Sequence, residues 1–241
     1  MTYYKVLRTN RGSWYDESFI WPLHKPVTVE NPDTCKDPCG RGLHLAKSLD
    51  NAFGYAGMPA RCFTVKPLSP VLGEGCDKIR VASAQLVKEI TPPGVLRANS
   101  FIRSIPKMRL FTAHRPPRKN WRLYASRRNA VRAARNAFTW KRDNMWAGAR
   151  AVIGGAGREE GLQSMAEEAR RAVFSAVWNA PGGGQFDRQA DAGLFARALM
   201  CAHPEDIKKH IAHARARWDV WQRGYGLYCD LGGELFVYRK P

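Results

Sequence analysis

Three side chains that can bind a metal lie close together in the N-terminal part of the sequence. They are Cys35, Cys39 and His44, separated by three and four residues, and thiolates with a neutral imidazole are typical zinc ligands. Cys62 or Cys76 would complete a tetrahedral set. The spacing is irregular and the chain contains no Cys-x-x-Cys pair. Free thiols are therefore the favoured interpretation, and we predict neither a metal nor another cofactor.

A second chemical signal is the basic segment from Arg103 to Arg150. It contains 14 Lys and Arg residues and a single acid, Asp143. Phosphate backbones are bound through many Lys and Arg contacts, and aromatic rings such as that of Trp121 stack on unpaired bases. No recognition-helix motif is visible, so the predicted binding follows backbone charge and not base sequence. The predicted nucleic-acid-binding residues are Arg118, Lys119, Arg122, Arg127, Arg128, Arg132, Arg135 and Arg142.

The element expected to position these arginines is a helix from Trp121 to Trp146, a stretch without proline or glycine and rich in alanine. At 100° per residue, the arginines from Arg127 to Arg142 fall within about 140° of one another. The opposite side carries Ala130, Ala133, Ala137 and Trp140. The pattern predicts a cationic face and a small packing face. The alternative left open is that the arginines only form a solvated surface while the aromatic residues pack in the core.

The whole chain is predicted to be an α+β protein in three parts. Residues 1–100 form a small mixed domain of short strands, 101–180 a basic helical region, and 181–241 a helical segment that ends in a β-hairpin. Ser48 is expected to cap a short helix. The strands of the first part are expected at 3–7, 43–45, 61–65, 78–82 and 85–90, and those of the terminal hairpin at 225–229 and 234–238.

The first 90 residues or so resemble a domain of unknown function that is common in bacteriophage and prophage proteins. The resemblance is carried by the order of short strands and by the Cys-x-x-Gly-Leu-His core from Cys39 to His44. It implies a phage or prophage origin but no activity. The location that we expect for the protein is the host cytoplasm.

A looser likeness to the ADP-ribosyltransferase fold offers an alternative, in which the chain is an enzyme that uses NAD. Arg8 at the end of the first strand, the segment from Gly42 to Ser48 and Glu89 on a late strand are similar to the arginine, serine-strand and glutamate elements of that fold. The likeness implies that Glu89 orients the ribose and stabilises the developing positive charge. The chain lacks the Ser-Thr-Ser pattern, and Val87 stands where a second carboxylate is expected.

Charge and composition limit the kinds of partner that we expect. The formal net charge is +18, which favours nucleic acid, a ribonucleoprotein or an acidic protein as a partner. Six cysteines in 241 residues are too sparse for a disulfide scaffold, and neither a signal peptide nor an apolar run of about 18 residues occurs. We therefore expect an intracellular protein without a membrane partner. A phage accessory protein is the favoured class, with a virion or assembly protein as a further alternative.

Overall fold

A computed structural model describes residues 2–108, 115–137, 160–180, 186–200, 204–231 and 233–240. The described residues contain both helices and antiparallel strands, which confirms the predicted α+β class. They belong to two compact units. The first unit takes its residues from 1–99 and 157–169, and the second from 100–156 and 170–241.

A seven-stranded sheet forms the first unit. Its order is β2-β7-β4-β1-β3-β6-β5, and every neighbouring pair is antiparallel. The strands are β1 (Tyr3–Arg8), β2 (Pro26–Thr28), β3 (Leu43–Ala46), β4 (Ala60–Pro67), β5 (Val71–Glu74), β6 (Lys78–Val81) and β7 (Ser83–Glu89).

Apolar side chains from the central strands form the core of this unit. Leu7, Leu45, Phe63 and Leu86 are fully buried, and the Trp21 indole packs with them. Alternation along each strand sends these residues to one side of the sheet. Since a register shift by one residue would expose the whole set, the buried face fixes the pairing of β1 with its neighbours.

Two helices of the first part of the chain differ in whether local signals predicted them. Ser48 caps α1 (Leu49–Phe53), because its hydroxyl accepts a hydrogen bond from the Asn51 amide at 3.1 Å, as predicted. The second helix, α2 (Pro93–Ser104), was not predicted. Pro93 occupies its first turn, where a missing amide proton costs nothing, whereas the sequence interpretation took it as part of a closing turn.

A three-stranded sheet of order β8-β10-β9 organises the second unit. Strand β8 (Trp121–Tyr124) runs parallel to β10 (Glu234–Arg239), and β10 pairs with β9 (Tyr225–Leu231) in the predicted terminal hairpin. The middle and C-terminal parts of the chain therefore share one sheet. The remaining described α-helices are α3 (Arg127–Ala137), α4 (Glu160–Trp178), α5 (Phe186–Met200) and α6 (Pro204–Gln222). Helix α4 has its residues up to Ala169 in the first unit. None of the described helices is long and apolar enough to span a membrane.

The prediction of one helix from Trp121 to Trp146 was wrong at its start. Residues Trp121–Tyr124 form a strand, and α3 begins only at Arg127. The Ser126 hydroxyl accepts a hydrogen bond from the Asn129 amide at 3.3 Å, so it caps the helix at this point. The alternating Trp-Arg-Leu-Tyr sequence suits a strand with one buried face. Residues 138–146 lie outside the described part of the chain.

Candidate functional site

The arginines of α3 form the exposed face that the sequence predicts. Helix α3 packs on the three-stranded sheet through Ala130 and Ala134, both fully buried. Ala134 is buried on the packing face of the helix, where the sequence predicted Ala137. Ala137 is exposed at the end of the helix. The buried pair is four residues apart and defines one side of α3. The exposed side carries Arg127, Arg128, Arg132 and Arg135. We call these four residues the arginine face.

No carboxylate neutralises this face among the described residues. Each of its four guanidinium groups lacks an ion-pair partner there. Helix α3 has no acidic residue in its own sequence. The local charge of the face is therefore uncompensated, and a polyanion would find several cationic donors on a single surface.

Three other predicted nucleic-acid-binding residues lie before α3, and two of them are already paired. The Arg118 Nε donates to Asp219 Oδ2 at 2.9 Å, and Arg122 forms an ion pair with Glu234 at 2.8 Å. Lys119 is exposed. Arg142 lies outside the described residues. The structure thus separates the unpaired arginine face from arginines whose charge is partly compensated.

The loop that carries Cys35 and Cys39 is organised around a buried arginine. The Arg80 side chain is fully buried and donates to the backbone carbonyls of Asp33 (2.6 Å), Cys35 (2.5 Å), Asp37 (2.8 Å) and Arg41 (2.9 Å). A guanidinium carries five N–H donors in a fixed plane, so one side chain can fix a loop of this length. Sequence reasoning did not single out Arg80.

Glycine is required in this loop because Arg80 passes over it. A Cβ atom on Gly42 would lie 2.8 Å from the Arg80 Cγ, which is closer than real side chains approach. Cys35 and Cys39 are exposed. Among the described residues, no three His, Cys, Asp or Glu side chains are grouped as metal ligands. Cys35, Cys39 and His44, the weak metal candidates, are thus not brought together.

His44 lies on β3 in a strongly cationic environment. Burial is the main cause that lowers its pKa to about 4, and the charges of Lys5, Lys78 and Arg80 add to this effect. The His44 Nε2 atom is buried without a hydrogen-bond partner. The imidazole is therefore neutral near pH 7, and it can accept a proton or a hydrogen bond but cannot serve as a cationic donor.

Next to His44 is a group of polar residues that sequence reasoning missed. The Lys5 Nζ donates to the His44 carbonyl at 2.9 Å and lies 5.3 Å from the Trp21 ring centroid. Burial, with a contribution from Lys78, lowers the Lys5 pKa to about 8. On the neighbouring part of the sheet, the Lys78 Nζ lies 4.5 Å from the ring centroid of Tyr55. The only sequence signal for Lys5 was its place inside an otherwise apolar strand.

The two residues of the transferase alternative lie at the ends of β1 and β7, as expected, and both have partners. The Arg8 guanidinium forms an ion pair with Glu17, and Glu89 accepts two hydrogen bonds from Arg61, one of them at 3.0 Å from Nε. The Arg61 hydrogen bonds are the main cause that lowers the Glu89 pKa. Glu89 is therefore ionised at neutral pH, as the alternative needs, but its carboxylate is already engaged.

Comparison of the chain with protein-family models, with curated proteins and with solved structures gives no match. Two surfaces offer distinct chemistry, namely the arginine face in the second unit and the polar group around His44 in the first. The function of the arginine face is easier to infer, because no described residue compensates its charge.

Proposed function

We propose that the protein binds nucleic acid, free or within a ribonucleoprotein, through the arginine face of α3. One observation carries the proposal: four exposed arginines share a helix face and have no ion-pair partner among the described residues. Arg118 and Arg122, which belong to the same basic segment, are paired with carboxylates. The pairing of the neighbouring arginines makes the four unpaired ones stand out as a surface suited to an external anion.

The length of the face suits a phosphate backbone. Arg127 and Arg135 are eight residues apart in α3, which corresponds to about 12 Å along the helix axis. A DNA duplex carries one negative charge per about 1.7 Å of its axis. Several phosphates can therefore lie within reach of the four guanidinium groups. Contacts of this kind carry no sequence information, so unrelated sequences should bind with similar affinity.

We further propose an accessory role of phage origin, on the resemblance of the Cys39–His44 motif and the order of short strands to a phage and prophage domain. In this role the protein acts on a host process by occupying nucleic acid or a ribonucleoprotein. A virion or assembly role would use the same face on packaged DNA.

A salt titration of binding tests the proposal. Arg128→Glu combined with Arg132→Glu should weaken binding to unrelated DNA and RNA sequences alike and should reduce the slope of log K against log salt by about one to two units. The matched control is Lys25→Glu with Lys36→Glu, which makes the same change in net charge at two exposed lysines of the first unit. An unchanged slope in the folded α3 variant, or an equal loss in the control, would contradict the proposal.

A further inference from the structure

A cavity of 570 Å³ lies in the second unit, and its lining combines aromatic rings with arginines. Its size is in the range of pockets that hold small ligands, which is about 300–1,000 Å³. Phe101, Trp121, Phe195 and Trp218 provide the aromatic lining. These residues come from α2, β8, α5 and α6, so several parts of the unit converge on the cavity. None of them belongs to the arginine face.

Aromatic edge contacts keep this lining in place. The rings of Phe101 and Phe195 have centroids 4.7 Å apart at an interplanar angle of 74°, and those of Phe101 and Trp218 are 5.8 Å apart at 89°. Such T-shaped pairs add to the stability that burial provides. All four lining aromatic residues are buried, with Trp121 the most exposed at 8%. The walls of the cavity are therefore rigid, and each ring presents a small part of its surface to a ligand.

The charged lining is positive overall. Arg118, Arg215 and Asp219 are its ionised side chains. The Asp219 carboxylate is already held by Arg118 at 2.9 Å and by Arg223 at 2.8 Å. The guanidinium carbon of the exposed Arg215 lies 5.8 Å from the Phe195 ring centroid, and Arg215 has no carboxylate partner among the described residues. A ligand with a negative charge would supply the missing partner.

Neutral polar groups complete the lining. Asn120 and Gln222 both contribute to the cavity. The Gln222 Nε2 atom already donates to the Met108 Sδ atom at 3.2 Å, whereas the Asn120 amide offers a donor and an acceptor together. Such groups match the edges of a nucleobase, which present donors and acceptors side by side. An apolar ligand would leave Arg215 without a partner, and a simple inorganic anion would leave the aromatic lining unused.

From these observations we infer that the cavity binds a nucleotide, with its base against the aromatic lining and its phosphate beside Arg215 and Arg118. Base stacking on aromatic side chains tolerates any sequence, and guanidinium groups pair well with phosphate. The ligand has two sources, a free mononucleotide or an unpaired nucleotide of a strand. For the second source the inference rests on the proposed function, because the same strand would also meet the arginine face.

The test uses the full chain and calorimetric titration with three probes: AMP, a single-stranded oligonucleotide and a blunt duplex of the same sequence. Binding of AMP with a stoichiometry of one would identify a free nucleotide as the ligand. Binding of the single strand in clear preference to the duplex, with no binding of AMP, would identify an unpaired nucleotide. Pyrophosphate serves as the anion without a base and should bind more weakly than AMP if stacking contributes.

Variants then assign the binding to the cavity. Arg215→Ala should weaken binding of the preferred probe about tenfold or more, since a charged hydrogen-bonding partner is lost, and Ala212→Phe should obstruct the cavity from an exposed position on α6. Arg97→Ala on α2 is the matched control, because it also removes one exposed arginine from a helix but belongs neither to the cavity lining nor to the arginine face.

The outcomes separate the two proposals. If AMP does not bind and the single strand shows no preference over the duplex, or if binding survives both cavity variants unchanged, the inference is wrong. Loss of AMP binding in the cavity variants, together with normal salt-dependent duplex binding, would support the cavity and leave the arginine face as a separate site. Intact duplex binding together with no nucleotide binding in the wild type would overturn the cavity inference alone.

Discussion

Arg80 in the first unit and the arginine face in the second show two opposite uses of the same side chain. Arg80 is fully buried, and backbone carbonyls of one loop accept its hydrogen bonds. Arg132 and its neighbours on α3 are exposed and lack a described ion-pair partner. The difference shows that net charge alone does not locate a binding surface. Each arginine has to be assigned by the groups that accept its hydrogen bonds.

Between these extremes the first unit contains cations of intermediate burial. Lys5 donates to a carbonyl and has a pKa lowered by burial, and Arg61 shares a partly exposed ion pair with Glu89. If burial and partners decide the role of each cation, removal of these groups should affect stability in a graded order. The order runs from Arg80 through Lys5 and Arg61 to Arg132.

The largest effect is expected for Arg80→Ala. The substitution removes a buried charged donor, so carbonyls of the loop from Asp33 to Arg41 lose their hydrogen-bond partner. The loss of a buried charged partner costs about 3–5 kcal/mol of stability. The free energy of unfolding in urea gives the measurement. Arg80→Lys is the control that keeps the charge but not the planar fork, and it should recover only part of the loss. A change below about 1 kcal/mol in the alanine variant would show that water replaces Arg80 in the loop.

Lys5 should make stability depend on pH in the alkaline range. Burial lowers its pKa from 10.5 to about 8 in the folded protein, so the unfolded chain binds more protons between these values. Stability attributable to Lys5 therefore rises as the pH increases from about 8 to 10.5. Urea midpoints measured for the wild type and for Lys5→Met should diverge in slope within this window. Parallel curves would show that the Lys5 ammonium is solvated.

The Arg61–Glu89 pair should have a smaller effect because both side chains are about one third exposed. Arg61→Ala should cost about 1 kcal/mol at neutral pH, within the usual range for solvent-accessible pairs. The Glu89 pKa is lowered in the folded state. The stabilisation is therefore present above pH 4.5 and is lost as the pH falls through the lowered value. Unfolding of both proteins at pH 3 and pH 7 provides the comparison.

Glu89→Gln also tests the transferase alternative. Incubation with labelled NAD and host lysate should show no transfer if nucleic-acid binding is the only activity. Label transfer by the wild type that disappears in folded Glu89→Gln would favour the enzyme. The variant keeps the shape of the side chain, so retention of the fold can be checked by its circular dichroism.

Local signals in the sequence predicted a substantial part of the fold. Short apolar runs next to turn signals located β1 and β3, the Ser48 hydroxyl marked the start of α1, and the terminal hairpin followed from two strand patterns around a glycine turn. The start of α3 was missed because alanine and the lack of proline were given more weight than the Ser126 cap. Competing local signals of this kind are resolved by tertiary packing, here the pairing of β8 with β10.

The partners of the arginines could not be predicted in the same way. Arg118 pairs with Asp219 and Arg122 with Glu234, each more than 100 positions away in the chain. The role of Arg80 depends on the pairing of β6 with β3, where Arg80 lies opposite His44. Such contacts follow from the topology of the sheets and leave no periodic pattern in the sequence. The exposure of the α3 arginines was predictable because it depends only on the helix period.

The smallest effect on stability is expected for Arg132→Ala. The side chain is exposed and has no described ion-pair partner, and alanine favours the helix, so the free energy of unfolding should change by less than about 0.5 kcal/mol. The same substitution should reduce nucleic-acid affinity at low salt, because one phosphate contact is lost. Ala134→Asp, on the buried side of α3, should instead destabilise the unit, because it buries an unpaired carboxylate. If Arg132→Ala instead destabilised the protein by more than 1 kcal/mol, the arginine would have an internal structural role, and α3 would resemble the Arg80 loop more than a binding surface.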